Sequence, residues 1–121
     1  MTHMKRAIGE KPPVPLTMAI ETEKFVFVSG QVPTDAEGVT PEGIEAQTRL
    51  VMEKIKVLLE EAGSSLDNVV KTTVFIADTS DFKAMNEVYG SYFLGDPPAR
   101  SCIRCDLVVD AKVEIEATAL K

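Results

Sequence analysis

The sequence has little histidine, little cysteine and a deficit of positive charge. Among its 121 residues there is one histidine, His3, close to the N-terminus. A histidine metal centre is therefore excluded, and so are Ser-His-Asp and Cys-His nucleophilic catalysis. Cysteine occurs twice, at Cys102 and Cys105, in a Cys-x-x-Cys. The surrounding Ser101–Val109 segment reads as a strand, where positions i and i+3 point to opposite faces. No second pair exists to complete a zinc set, so two reduced structural thiols are the simpler reading and no metal or cofactor is expected. Lys plus Arg number 13 against 19 Asp plus Glu, a formal charge of −6. A chain of this balance lacks the electrostatic footprint of a nucleic-acid binder. No apolar run approaches the roughly 20 residues of a membrane helix. The N-terminus leads into Gly9-Glu-Lys-Pro-Pro13 rather than an apolar leader, so no membrane partner is expected and the cytoplasm is the expected compartment. Carboxylates, arginine, thiols, hydroxyls and the backbone are left to carry any chemistry.

What is present fits one globular domain spanning residues 1–121, with 45% hydrophobic and 26% charged residues. The first 15 residues contain Pro12, Pro13 and Pro15 and are expected to run extended along the surface. Leu16–Ile20 reads as a short edge strand, and Phe25–Ser29 as a strand of aromatic and β-branched residues. Thr40-Pro41 supplies a candidate N-cap with proline at the first helical position. Ile44, Thr48, Val51, Ile55, Leu58, Leu59 and Ala62 then recur at helical spacing, closed by Gly63. Val69–Ala77 is apolar on both parities, as in a central strand covered on two faces. Thr79 or Ser80 is a candidate cap for a second helix with Phe82, Met85, Val88, Tyr89, Tyr92 and Phe93 on its apolar side. Arg100–Leu107 and Lys112–Leu120 read as two further strands.

The predicted order is β-β-α-β-α-β-β, an α+β sandwich with one mixed sheet and both helices on one face. The opposite face keeps apolar residues in a small domain, so assembly through it is expected. Four positions stand out. Asn86 lies on the apolar stripe of the second helix, either capping nearby backbone or supporting a pocket loop. Arg100 opens a strand after Pro97-Pro98-Ala99, and a guanidinium fork suits a carboxylate; Cys102 and Arg104 share its face. Glu114 and Glu116 lie on the face of the last strand that the helices leave bare.

Taken together, several segments resemble the RidA family, also called YjgF or L-PSP, of reactive-intermediate deaminases. The resemblance runs from Leu16 to Leu120. It is carried by Phe27-Val-Ser-Gly-Gln-Val-Pro33, Leu66-Asp-Asn-Val-Val-Lys-Thr-Thr-Val-Phe75, Asp81-Phe82 with Asn86-Glu-Val-Tyr89, Pro98-Ala-Arg-Ser101 and Val113-Glu-Ile-Glu-Ala117. It implies a chorismate-mutase-like fold assembled as a homotrimer, with the sheets forming a central barrel and active sites in the clefts between subunits. The implied activity is hydrolysis of enamines and imines such as 2-aminoacrylate and 2-iminopropanoate to 2-keto acids and ammonia. The partner is then a small imino or keto acid.

By the same resemblance, Arg100 matches the arginine that binds the substrate carboxylate. Glu114 matches the glutamate that handles the water or its proton, with Glu116 the alternative because the Val108–Ala111 loop is short. Ser29 and Gly30 match pocket-lining residues, Cys102 the cysteine after Arg-Ser, and Asn86 the helix asparagine. Leu16 stands where many of these deaminases carry a tyrosine, and Pro97 replaces an aromatic residue. A non-catalytic trimer that binds small carboxylates, or a regulatory or chaperone-like partner, is the alternative. The endoribonuclease activity attached to parts of the family fits poorly with a charge of −6 and no histidine catalyst.

Overall fold

Six strands make one mixed sheet in the computed structural model, which describes residues 4–121. They are β1 (Arg6–Ile8), β2 (Ala19–Glu21), β3 (Phe25–Gln31), β4 (Val69–Ile76), β5 (Ala99–Arg104) and β6 (Val113–Leu120). Their spatial order is β1-β2-β3-β6-β4-β5. Only β4 and β5 pair in parallel. Helix α1 (Ile44–Glu61) connects β3 to β4, and α2 (Phe82–Gly90) connects β4 to β5. Both links join strands that run in the same direction, which needs a crossover and places a helix over the sheet.

Alternation decides which face is covered. Along β6, Val113, Ile115, Ala117 and Ala119 are buried, whereas Glu114, Glu116, Thr118 and Leu120 lie on the other face and are half-buried or exposed. Along β3, Val26 and Val28 are buried, and Phe25 and Phe27 are exposed. The buried set packs with Val51, Met52, Ile55 and Leu59 of α1 and Met85 and Tyr89 of α2 in one core. Both helices therefore sit on the same side, as the α+β reading requires. The uncovered side exposes Phe25, Phe27, Ile103 and Leu120.

Four boundaries differ from those expected. Arg6–Ile8 is not merely extended but pairs with β2, because Ile8 is buried and Arg6 forms an ion pair with Glu21 at 2.6 Å. The prolines at 12, 13 and 15 fall after it, where no ladder N–H is required. Consequently the strand expected at Leu16–Ile20 is Ala19–Glu21, and it is interior rather than an edge. The first helix starts at Ile44 instead of after Thr40-Pro41, since Gly43 turns the chain at φ 89°. The cap expected from Thr79 or Ser80 is made by Asp78, whose carboxylate accepts from the Ser80 N–H and hydroxyl, each at 2.8 Å. It caps a 3-10 turn, Thr79–Asp81, that precedes α2. His3 lies outside the described residues.

Candidate active site

The β4–β5 register sets Arg100 opposite Thr72, Cys102 opposite Val74 and Arg104 opposite Ile76. Thr72, Val74 and Ile76 are all buried on the helix side. Arg100 therefore turns toward α2, where Phe82, Asn86 and Tyr89 share one helix face at spacings of four and three. Its Nη1 donates to Asn86 Oδ1 at 2.7 Å. Its guanidinium carbon lies 5.0 Å from the Tyr89 ring centre and 5.7 Å from that of Phe82. Tyr89 is fixed from below by a buried 2.7 Å hydrogen bond between its hydroxyl and that of Thr72. No ion pair joins Arg100 to a carboxylate among the described residues.

Glu114 belongs to the other side of the sheet. Between Val28 and Gln31 the β3–β6 register shifts, three steps on β3 matching two on β6. The extra residue makes a bulge at Ser29-Gly30. Ser29 is tied back to the preceding segment, its Oγ donating to the Thr17 carbonyl at 2.5 Å and its N–H to the Met18 carbonyl at 2.9 Å. Gly30 lies under the Glu114 side chain so closely that a Cβ there would collide with the Glu114 carboxylate. Glycine is needed at this position for close approach, since Gly30 is not among the glycines with positive φ. Leu16, which is exposed, is the neighbour of Thr17 at the rim of the bulge.

Burial pushes the Glu114 carboxyl above the usual carboxylate range, and the charge of Glu116 adds to the effect. Glu116 faces the same way two residues on but is exposed. It lines a cavity of about 260 Å³ on the bare sheet face together with Phe27, Lys71, Thr73 and Thr118. That cavity includes neither Arg100 nor Glu114. Burial also raises the Cys102 thiol, more than Arg100 lowers it, so Cys102 is poised as a thiol rather than a thiolate. Both cysteines are free and half-buried. No group of three His, Cys, Asp or Glu side chains suited to a metal ion occurs among the described residues.

The predicted residues thus gather into two clusters, not one. Asn86, Arg100 and Cys102 are on the helix side at the β5 edge. Ser29, Gly30 and Glu114 are at the bulge on the bare side, and exposed Leu16 precedes Thr17, whose carbonyl accepts from Ser29. Arg100 pairs with the Thr72 row and Glu114 with the Phe75 row, on strands separated by β4. That is about 14 Å between backbones, and the side chains diverge to opposite faces. Sequence reasoning missed Phe82 and Tyr89 as parts of the arginine cluster, assigning them only to the core. The signal was their spacing with Asn86 on a single helix face.

Comparison with known proteins finds relatives over nearly the whole chain. The model of the family described as Endoribonuclease L-PSP matches residues 7–121. A RutC family protein of Pyrococcus abyssi is 47% identical over 114 residues, covering 92% of this chain and 90% of its own. The structure of TdcF from E. coli with bound serine superposes with a TM-score of 0.91 at 34% identity, over 96% of this chain and 98% of that one. RidA from an Antarctic Psychrobacter superposes with a TM-score of 0.90 at 33% identity, over 96% and 99% of the two chains. Among the described residues, no helix is long and apolar enough to cross a membrane.

Proposed function

The chain belongs to the RidA/YjgF/L-PSP family, and from that premise we propose that it is a cytoplasmic hydrolase of small reactive enamines and imines. The substrate is of the 2-aminoacrylate/2-iminopropanoate type, and the products are the 2-keto acid and ammonia. The reaction takes place in clefts between copies of the chain, arranged as a homotrimer with the sheets forming a central barrel. The single observation that carries this reading is Arg100. In a chain with 19 carboxylates, this half-buried guanidinium takes its contacts from an amide and two aromatic rings, with no ion pair among the described residues. A guanidinium kept this way is a site for an incoming carboxylate.

The chemistry follows from what such an acid needs. With its carboxylate held on Arg100, the planar C=N carbon of 2-iminopropanoate is fixed in place. Glu114, as the carboxylate, accepts a proton from water as the oxygen attacks that carbon. Reacting as the protonated imine, C=NH2+, the substrate yields its π pair to nitrogen, so the resulting carbinolamine carries a neutral NH2 group. Glu114 then returns its proton to that nitrogen, the C–N bond breaks with its electron pair leaving on ammonia, and the hydroxyl gives its proton to the Glu114 carboxylate as the carbonyl of pyruvate forms; ammonia carries that proton away as ammonium. A glutamate with a raised pKa serves both directions of transfer. Ser29 and Gly30 shape the floor beside it.

One chain does not bring Arg100 and Glu114 together, which supports a site shared by neighbours. Phe25, Phe27, Ile103 and Leu120 on the bare face, each a little under half exposed, supply a reason to assemble, covering what remains of each being worth about 1 kcal/mol. Serine, the ligand named for the E. coli relative, has a carboxylate and an α-nitrogen on a three-carbon frame, as the proposed substrate does.

The test is ammonia release from 2-iminopropanoate generated in situ by an amino-acid oxidase acting on alanine. The wild-type protein should accelerate release over buffer, and Arg100→Ala should abolish the acceleration. Wild type indistinguishable from buffer would refute the reading. Leu16 favours one second reading, binding of small carboxylates without turnover, because it puts hydrocarbon where many of these deaminases carry a hydroxyl. Calorimetric binding of pyruvate with no turnover of any imine would select it.

A further inference from the structure

We propose that Asn86 is the positioning residue of Arg100, and that its lack of charge keeps the guanidinium available to a substrate carboxylate. The inference rests on the reading of Arg100 above. A guanidinium has five N–H donors and a delocalised charge that any adjacent carboxylate would neutralise. Here the one hydrogen bond from Arg100 to a described side chain ends on the amide oxygen of Asn86, at 2.7 Å. The remaining contacts are ring faces, Tyr89 at 5.0 Å and Phe82 at 5.7 Å. These hold the plane of the fork without pairing its charge. Tyr89 supplies no anion, because its hydroxyl is engaged with Thr72 at 2.7 Å and burial pushes the phenol up from its ordinary pKa. The nearest acidic residue in α2, Glu87, is exposed and adjacent in sequence to Asn86, so it points to another side of the helix.

Asn86 thus fixes one end of the fork and leaves the other donors for a ligand. Aspartate at this position would have the same shape and keep the same acceptor. It would also form an internal ion pair with Arg100 and compete with the substrate for it. Removing the side chain altogether would free the guanidinium to move but leave its charge unpaired.

The two substitutions therefore rank differently for a positioning role than for a structural one. Pyruvate is the probe, bound to the assembled protein and followed by calorimetry. Asn86→Asp should weaken binding by about tenfold or more, equivalent to about 1.4 kcal/mol, and Asn86→Ala by only about threefold. In the imine assay, Asn86→Asp should raise KM with kcat within about threefold, the pattern of lost uniform binding. Thermal stability should run the other way, Asn86→Asp at least matching Asn86→Ala. A purely structural asparagine predicts the reverse binding order, since Asp preserves the hydrogen bond and Ala does not. Binding by Asn86→Asp equal to wild type, while Arg100→Ala fails to bind, would overturn the inference and leave the arginine reading intact. Binding by Arg100→Ala equal to wild type would overturn both. If Asn86→Asp does not assemble, Asn86→Ala carries the test: wild-type affinity overturns the inference, and a threefold loss with the melting temperature retained supports it.

Discussion

Arg100 stands on an edge strand and is held by side chains, an amide and two aromatic rings from the adjacent helix. Glu114 stands on an interior strand and is accommodated by a missing side chain, at Gly30 in a β-bulge. The first cluster is complete within one chain and rests on the packed helix side. The second lies on the side that the helices leave bare. Its carboxylate is only partly desolvated. In the proposed reaction the difference separates two jobs: a rigid anchor that holds charge ready, and a proton carrier whose acidity depends on how well water is excluded.

The sharpest way to break this contrast is at the bulge. Gly30→Ala places a methyl group where the Glu114 carboxylate lies. It should displace the carboxylate and reduce kcat by about 100-fold, the scale of a lost general acid–base group. Pyruvate affinity at Arg100 should change by less than about threefold. Equal losses in both would mean that the clusters are not separable.

A smaller effect concerns pH. Glu114 is raised first by burial and then by the charge of Glu116. If Glu114 must be ionised to activate water, the rate falls as pH drops through its raised pKa, at a higher pH than an ordinary glutamate would give. Glu116→Gln removes a like charge, favours the ionised form of Glu114 and should shift the acid limb of the rate profile toward lower pH. An unchanged or upward-shifted limb would show that Glu114 does not set it. Stability runs the opposite way with pH. A carboxyl whose folded pKa is raised contributes stability below its unfolded pKa, and that contribution is lost as pH rises through the folded value.

The smallest effect is on the frame of the arginine. Thr72→Val leaves the Tyr89 hydroxyl without its buried partner and should destabilise the fold by about 1–3 kcal/mol. Because the Tyr89 ring stays over the guanidinium, pyruvate affinity should hold within about threefold. A large affinity loss at unchanged stability would show that the hydroxyl pair, rather than the rings, orients Arg100.

Much of the fold was legible because it is written in periodicity. The Ile44–Ala62 stripe gave α1, and the strict alternation Val113–Ala119 gave both the last strand and its bare face. Strand β1 was not legible, since a three-residue strand has no period and is held by one buried side chain and a distant ion pair, Arg6 with Glu21. The start of α1 was misplaced because Thr40-Pro41 satisfies the local capping rule, whereas Gly43 overrides it two residues later.

The site was legible in part. Residue types and the family resemblance selected Arg100, Glu114, Ser29, Gly30, Asn86, Cys102 and Leu16, and alternation put Glu114 on the bare face, but nothing put Arg100 on the helix face. The side that Arg100 takes follows from its pairing with buried Thr72 on β4, which nothing local in the sequence specifies. The link between Asn86 and Arg100 was likewise hidden, because 14 residues separate them and only the β4–α2–β5 crossover brings them to 2.7 Å.

The central claim is that Arg100 of one copy acts with Glu114 of another. Arg100→Ala and Glu114→Gln, each inactive alone, should be unfolded together, refolded as an equal mixture and assayed on 2-iminopropanoate. If the two groups come from different copies, random assembly restores about a quarter of wild-type activity, since only clefts pairing an intact arginine with an intact glutamate work. A mixture as inactive as its two components would contradict the account.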